Sequence, residues 1–384
     1  MRLTRAGFLS LLATPLVLPA IRAAAQPAWP RRVTDMAGRT VTLKAPPRAI
    51  LLGESFQLLA MGLLHPDPVS LLAGMGGDLR QADPRSHEAW MRRFPALAAV
   101  PEVTGGVGQA FSLERVLSLR PDLVILGAWQ RRRDDSAQEL ALLEAAGIPV
   151  LFIDVFRRPL ENVGPSIRLL GEVLDRREAA AEFVALHEAR LARLRERVAG
   201  RPPGPLALLT AFPGRWPCCW VAGASGGGEY LAPAGLRNAT EGQAGLADGG
   251  LTGLEQVLAM RPDLVIGTGL ALSGDGRDGA LALGSGVPAA VARESLARLT
   301  REAEWRSLGA VRDGRLHGLW NFFTGSPIGM VAAEAVARWG RPDLFADLDP
   351  AATLEEINRR FSAVPFEGTY WVSTDPAQDG PRRG

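Results

Sequence analysis

The sequence is short of the residues that staple, ligate or anchor. Of 384 residues only two are cysteine, Cys218 and Cys219, and they are neighbours. Bridged Cα atoms ordinarily sit about 4.4–6.8 Å apart. An adjacent pair therefore cannot tie distant segments together, and the sequence predicts two buried thiols rather than a cross-link or a metal pair. Tyrosine is limited to Tyr230 and Tyr370, and histidine to His65, His87, His187 and His317. A bare metal ion needs several clustered donors, so this supply argues against one. Lys44 is the sole lysine among 43 basic residues, which reads as compositional bias and lowers the weight that any one arginine carries. Charge of one sign is also missing. The formal net charge is +2, and 40 basic face 41 acidic residues once the first 25 positions are set aside. A general nucleic-acid or anionic-membrane binder would carry a strong positive field instead. Beyond residue 25 no apolar run reaches the roughly 18 residues of a membrane helix.

What is present begins with export. Arg2 and Arg5 precede the apolar stretch Ala6–Ala20, which Pro15 and Pro19 interrupt, and Ala23-Ala24-Ala25 supplies small residues for cleavage. This pattern is that of a secretory signal peptide over residues 1–25. It predicts a soluble, exported mature chain. The rest is ordinary globular sequence, 47% hydrophobic and 22% charged, and long enough for two cores.

The strongest internal signal is a repeat. Ser112–Ile125 (SLERVLSLRPDLVI) and Gly253–Ile266 (GLEQVLAMRPDLVI) agree at 10 of 14 positions with an offset of 141 residues. Each copy spaces apolar residues helically, then places a helix-ending proline and a turn-forming aspartate before an apolar run. Each should fold as helix, tight turn and buried strand. Solenoid units are shorter, about 20–50 residues, so the repeat predicts two lobes of similar build with a ligand cleft between them. Strand and helix patterns alternate at short intervals from Ala49 to Ile153 and again from Leu206 to Trp320, as parallel sheets require. Between them, residues 176–198 lack glycine and proline, and Val184, His187, Leu191, Leu194 and Val198 mark one helical face. The expected fold is α/β, two lobes each with a mainly parallel sheet flanked by helices, joined by one long α-helix. The expected division is 1–25 signal peptide, 26–160 N-terminal lobe, 161–200 inter-lobe helix and 201–384 C-terminal lobe with closing helices.

These features, with TDMAGRTVTL near the start, WRSLGAVRDGRLHGL near the end and the stretch Asn321–Trp371, together resemble the periplasmic substrate-binding proteins of ABC importers for iron complexes, haem and cobalamin. The resemblance covers essentially all of the mature chain and is strongest to the iron-complex branch. It implies a protein with no catalysis and no resident cofactor, acting as a monomer. Its ligand would be a ferric siderophore or similar iron chelate, with haem or cobalamin as the alternative, and its partner an ABC permease dimer. In that family a surface glutamate on each lobe meets arginine pockets of the permease. The matching positions are Glu114 and Glu255, where a carboxylate in the first helical turn is also favoured by the helix dipole.

Ligands of open α/β sheets bind beyond the carboxyl ends of the strands. Three strand ends carry Trp129, Gln130 and Arg131; Arg215 and Trp216; and Trp320, Phe322 and Phe323, while Glu54 and Ser55 follow the first strand. Aromatic faces give large, rigid contact area, and arginine offers a planar fork for oxyanions. A metal chelate with an apolar skirt and negative oxygens suits that mixture. His187 falls on the apolar face of the long helix, where packing explains it, and direct haem ligation finds few tyrosines or histidines at strand ends. A rival from another class is Gly223-Ala224-Ser225-Gly226-Gly227, which satisfies G-x-S-x-G. A serine hydrolase built on Ser225 and His317 would need a strand before that turn and a helix after it.

Overall fold

The computed structural model describes residues 29–106, 109–110, 112–132, 136–215, 218–271 and 280–375. The expected signal peptide, residues 1–25, lies outside them. The chain enters through an antiparallel hairpin, Arg31–Thr34 against Thr40–Leu43, closed by Asp35, whose carboxylate accepts from the backbone N–H groups of Ala37 and Arg39 at 2.9 Å.

The first sheet has four parallel strands in the order Leu72–Met75, Ile50–Leu52, Leu123–Gly127, Val150–Ile153. Both faces are covered, so the strands read as unbroken apolar runs. Ile50, Leu52, Leu123, Ile125, Leu151 and Ile153 point into a core continuous with the second lobe. Leu51, Val124, Val150 and Phe152 point the other way, beneath the first repeat helix. Of the apolar run Val69–Leu72, only Leu72 belongs to the strand. Pro68 (φ −71°, ψ −20°) begins a 3-10 turn over Val69–Leu71 before the strand, because proline's fixed φ suits the turn.

The second sheet has Leu206–Ala211, Leu264–Gly269 and Leu316–Trp320 in parallel at its centre. Trp371–Ser373 and Trp220–Val221 add antiparallel strands on either side. The two repeat copies occupy equivalent places: Leu123–Gly127 lies between Ile50–Leu52 and Val150–Ile153, and Leu264–Gly269 lies between Leu206–Ala211 and Leu316–Trp320. Their helices, Leu113–Leu119 and Leu254–Met260, both end on a left-handed arginine, Arg120 (φ 47°) and Arg261 (φ 48°). Their aspartates do the same work. Asp122 accepts from the N–H groups of Arg48 and Ala49, and Asp263 from that of Leu206, each fixing the entry of the neighbouring strand.

The chain crosses between the sheets through two packed helices, so the expected segment 161–200 is divided. Pro159–Val173 and Arg177–Val198 run antiparallel, with Leu160 beside His187 and Arg168 beside Glu188. The break is a turn at Asp175 (φ 58°). The second helix, 22 residues and about 33 Å long at 1.5 Å per residue, is stapled to the closing helices by Arg190–Glu356 (2.8 Å) and by Arg197–Asp347. His187 is buried on it and shares a 3.1 Å hydrogen bond with the Leu160 carbonyl. That is the packing role its position predicts.

Candidate functional site

The carboxyl ends of both sheets meet at the seam between the lobes. On the N-terminal side the turn after Leu52 is clamped by buried Asp78, which accepts from Ser55 N (2.8 Å), Ser55 Oγ (3.0 Å) and Phe56 N (3.3 Å). Ser55 Oγ in turn accepts from Leu79 N. Ser55 is fully buried and its hydroxyl is committed. It shapes the turn and offers nothing to a ligand, which corrects its expected role.

Glu54 is presented by that turn, half-buried, and its Oε1 accepts from Trp129 Nε1 at 2.9 Å. Gly127 makes the contact possible, since a Cβ there would collide with Glu54 Oε2 and the Trp129 indole. Burial and the nearby Asp78 carboxylate push the Glu54 carboxyl up to about 8; the Trp129 hydrogen bond opposes this, and Asp154 adds a smaller upward push. Between its ordinary 4.5 and about 8, the folded protein therefore holds a proton that the unfolded chain has released, and stability falls as pH rises through that window. Glu54→Gln keeps the acceptor and removes the titration. Its unfolding free energy should match wild type below pH 4.5 and exceed it above pH 8, by roughly 1–3 kcal/mol for a half-buried carboxylate. Parallel pH curves for the two proteins would refute this.

Asp154, beyond Ile153, accepts from Phe156 N (3.1 Å), Arg157 N (3.0 Å) and Asn162 Nδ2 (2.7 Å). This Asx-type turn holds the Phe156 ring out at 44% exposure. Phe156 was missed by the sequence reading, although strand-end reasoning applied at Ile153 would have found it.

On the C-terminal side three strand ends are wired together. Phe212 N donates to Thr268 Oγ1 (3.4 Å), which donates to Asn321 Oδ1 (2.8 Å). Phe322 is half-buried and its ring lies 4.1 Å from that of Phe56 across the seam, while the Gly325 backbone passes close to both Phe156 and Phe322. Aromatic rings from both lobes thus converge with Glu54 and Trp129. Arg215 is exposed over the Phe212 ring, 5.8 Å away, and Trp216 lies outside the described residues.

Four further corrections follow from burial and direction. Gln130 is buried with its Oε1 on Gly127 N (2.7 Å), closing its own turn. Arg131 reaches back to the Ala37 carbonyl (3.1 Å), toward the entry hairpin and away from the seam. Trp320 and Phe323 are each 1% exposed, packed against one another and against Tyr370. They support the wall and do not form its surface. Glu114 and Glu255 stand exposed in the first turns of the equivalent repeat helices.

The hydrolase reading fails on its required context. Ser225 precedes only the short 3-10 turn Gly228–Tyr230, where a nucleophile elbow needs a helix. His317 lies buried in the central strand, stacked on Trp339 at 4.5 Å, and burial pushes its pKa down to about 3, far below a general base's range. Tyr230, Tyr370 and His187 are buried as well. Cys219 is buried and Cys218 half-buried, and as sequence neighbours they tie no distant segments together.

Comparison with known proteins agrees with this architecture. The sequence profile described as "Periplasmic binding protein" matches residues 64–319. The ferric enterobactin-binding periplasmic protein FepB of Escherichia coli is 28% identical over 200 residues, 52% of this chain and 59% of that protein. A vitamin B12-binding protein of Vibrio campbellii is 28% identical over 168 residues, 44% of this chain and 57% of that protein. The chain thus spans less than two thirds of the length of these curated relatives. Among solved structures, a TroA-like periplasmic binding protein FepB from Veillonella parvula superposes with a TM-score of 0.79 at 24% identity, covering 90% of this chain and 99% of its own. That likeness is one of fold.

Proposed function

Because this chain belongs to the periplasmic binding protein family, a family of binding proteins rather than enzymes, we propose that it captures a ferric siderophore or similar iron chelate between its lobes and delivers it to an ABC permease. The observation that carries this reading is the seam itself. Phe56 packs on Phe322 of the other lobe, Phe156 and Phe322 flank the same Gly325 backbone, and the Glu54–Trp129 pair lies on the first lobe's side of that contact. Large aromatic walls with few polar groups suit a bulky chelate that is bound whole. The buried state of Tyr230, Tyr370, His187 and His317 disfavours ligation of a metal directly by the protein. Cobalamin is the second reading, supported by the relative named for vitamin B12. Export through a signal peptide at residues 1–25 and docking through Glu114 and Glu255 complete the proposal.

Tryptophan fluorescence titration tests it, using a ferric catecholate, a ferric hydroxamate, haemin and cyanocobalamin as probes. An iron chelate should bind with a Kd at or below micromolar. Trp129→Ala and Phe322→Ala should each weaken it roughly 10–100-fold, as loss of a central aromatic anchor does. Failure of all four probes to bind, or unchanged affinity in both variants, would overturn the reading.

A further inference from the structure

Away from the seam, a groove of about 660 Å3 opens along the start of the helix Arg177–Val198. Its size falls within the range of small-ligand sites, about 300–1,000 Å3. The N-terminal lobe contributes residues 63–66 and Arg93, and the closing helix Pro350–Arg360 and its exit contribute residues 359–363. Ala363 N stitches the two sides together, donating to the Gly62 carbonyl at 2.8 Å.

Positive charge is concentrated there. Arg93, Arg176, Arg177, Arg359 and Arg360 line the groove against three acids, Asp175, Glu178 and Glu182. Two of those acids are engaged: Asp175 pairs with Arg31 at 2.7 Å and Glu182 with Arg360 at 3.5 Å. Among the described residues, Arg93, Arg176, Arg177 and Arg359 have no carboxylate partner. Four unpaired cations thus share one groove with the exposed Glu178. The Arg177 Nε is buried without a hydrogen-bond partner, and a buried guanidinium donor left unmade is costly and calls for an acceptor. Arg176 and Arg177 also occupy the cap and first position of a 22-residue helix. The helix dipole favours negative charge at that end, so two arginines there oppose the local field. Burial first, and Arg176 next, hold the His65 imidazole on the same groove below its ordinary 6.5.

We propose that this groove binds a small multivalent oxyanion of the phosphate class, whose oxygens accept from the guanidinium groups of Arg176, Arg177 and Arg359. Planar guanidinium forks match phosphate oxygens, and charge-assisted bonds of this kind are the strong ones. The anion relieves the repulsion among the arginines and supplies the acceptor that Arg177 lacks. It ties the first lobe to the closing helix across the crossing helix. None of the seam's aromatic residues takes part, so the inference stands apart from the cargo.

The test uses the full mature chain without any chelate, with inorganic pyrophosphate as the probe and potassium chloride of equal ionic strength as the reference. Pyrophosphate should raise the melting temperature above that reference and bind with a micromolar Kd that weakens as salt rises. In proton NMR, of the four histidines only His65 should titrate at higher pH once pyrophosphate is bound, because a neighbouring anion favours the imidazolium. Arg176→Gln combined with Arg359→Gln should weaken binding about tenfold or more. Both positions are exposed, and the unliganded variant should melt no lower than wild type, since two repelling charges are gone. A melting shift no larger than that of chloride, wild-type affinity in the double variant, or a His65 titration unmoved by pyrophosphate would each overturn the proposal. Binding to phosphatidylglycerol vesicles without a response to free pyrophosphate would overturn it as well, assigning the charge to a lipid surface.

Discussion

Trp320→Ala should destabilise the protein by about 3–5 kcal/mol, the range for emptying a buried tryptophan site. Trp320 ends the strand Leu316–Trp320 of the second sheet at 1% exposure. Its ring meets Tyr370 edge-on at 5.1 Å and Phe323 at 5.6 Å, so truncation opens a void beneath the seam. The side chain also crosses to the other lobe, where Nε1 donates to Asp83 Oδ2 at 3.2 Å. Trp320→Phe separates the two effects. It keeps most of the volume and removes the donor, and should cost about 1–3 kcal/mol for a buried acceptor left short of a partner.

The pH dependence identifies the cause. Burial raises the Asp83 carboxyl to about 6, with hydrogen bonds from Ser86 and Trp320 opposing the rise. Its folded value lies above its ordinary 3.8, so stability is greatest below that value and falls as pH rises toward 6. Without the indole donor the ionised form is held less well. The deficit of Trp320→Phe should therefore be smallest below pH 4 and largest above pH 6, as read from urea unfolding at both ends. A deficit independent of pH would show that packing alone is at stake.

The second large effect concerns delivery. Glu114→Ala combined with Glu255→Ala should reduce uptake of the bound chelate to background while leaving Kd within about twofold of wild type. Both glutamates are exposed, in the first turns of helices that share one local architecture down to their left-handed arginine ends. Exposed substitutions of this kind usually change stability by no more than about 0.5 kcal/mol, so the melting temperature should hold. On the proposed docking role the two carboxylates, one on each lobe, act as a pair, so removing one should cost less than removing both. Transport assays with the purified variants decide the matter. Persistent uptake would sink the docking role, and a raised Kd would show that the residues serve the seam instead.

Much of the fold was legible because it depends on short-range chemistry. Pro121 and Pro262 end helices whatever surrounds them, and the runs Leu123–Leu126 and Leu264–Ile266 can only be buried. The break at Asp175 was harder to see, since a single left-handed residue interrupts a helix without any glycine or proline to mark it. The site was legible only in outline. Strand-end reasoning selected Glu54, Trp129 and Phe322, which stand half-buried at the seam, and also Ser55, Gln130 and Trp320, whose polar atoms are committed to Asp78, Gly127 and Asp83. Which neighbours turn inward depends on those long-range bonds.

The amino-acid sequence alone determined that this chain makes two similar parallel-sheet lobes with helical segments between them, because repeated apolar periods and helix-stopping residues act within a few positions of themselves. Only the tertiary structure decided what the seam presents. Asp78 and Asp154 aim one wall, and the Phe212–Thr268–Asn321 chain aims the other. These are contacts between residues distant in the chain, and no local propensity encodes them.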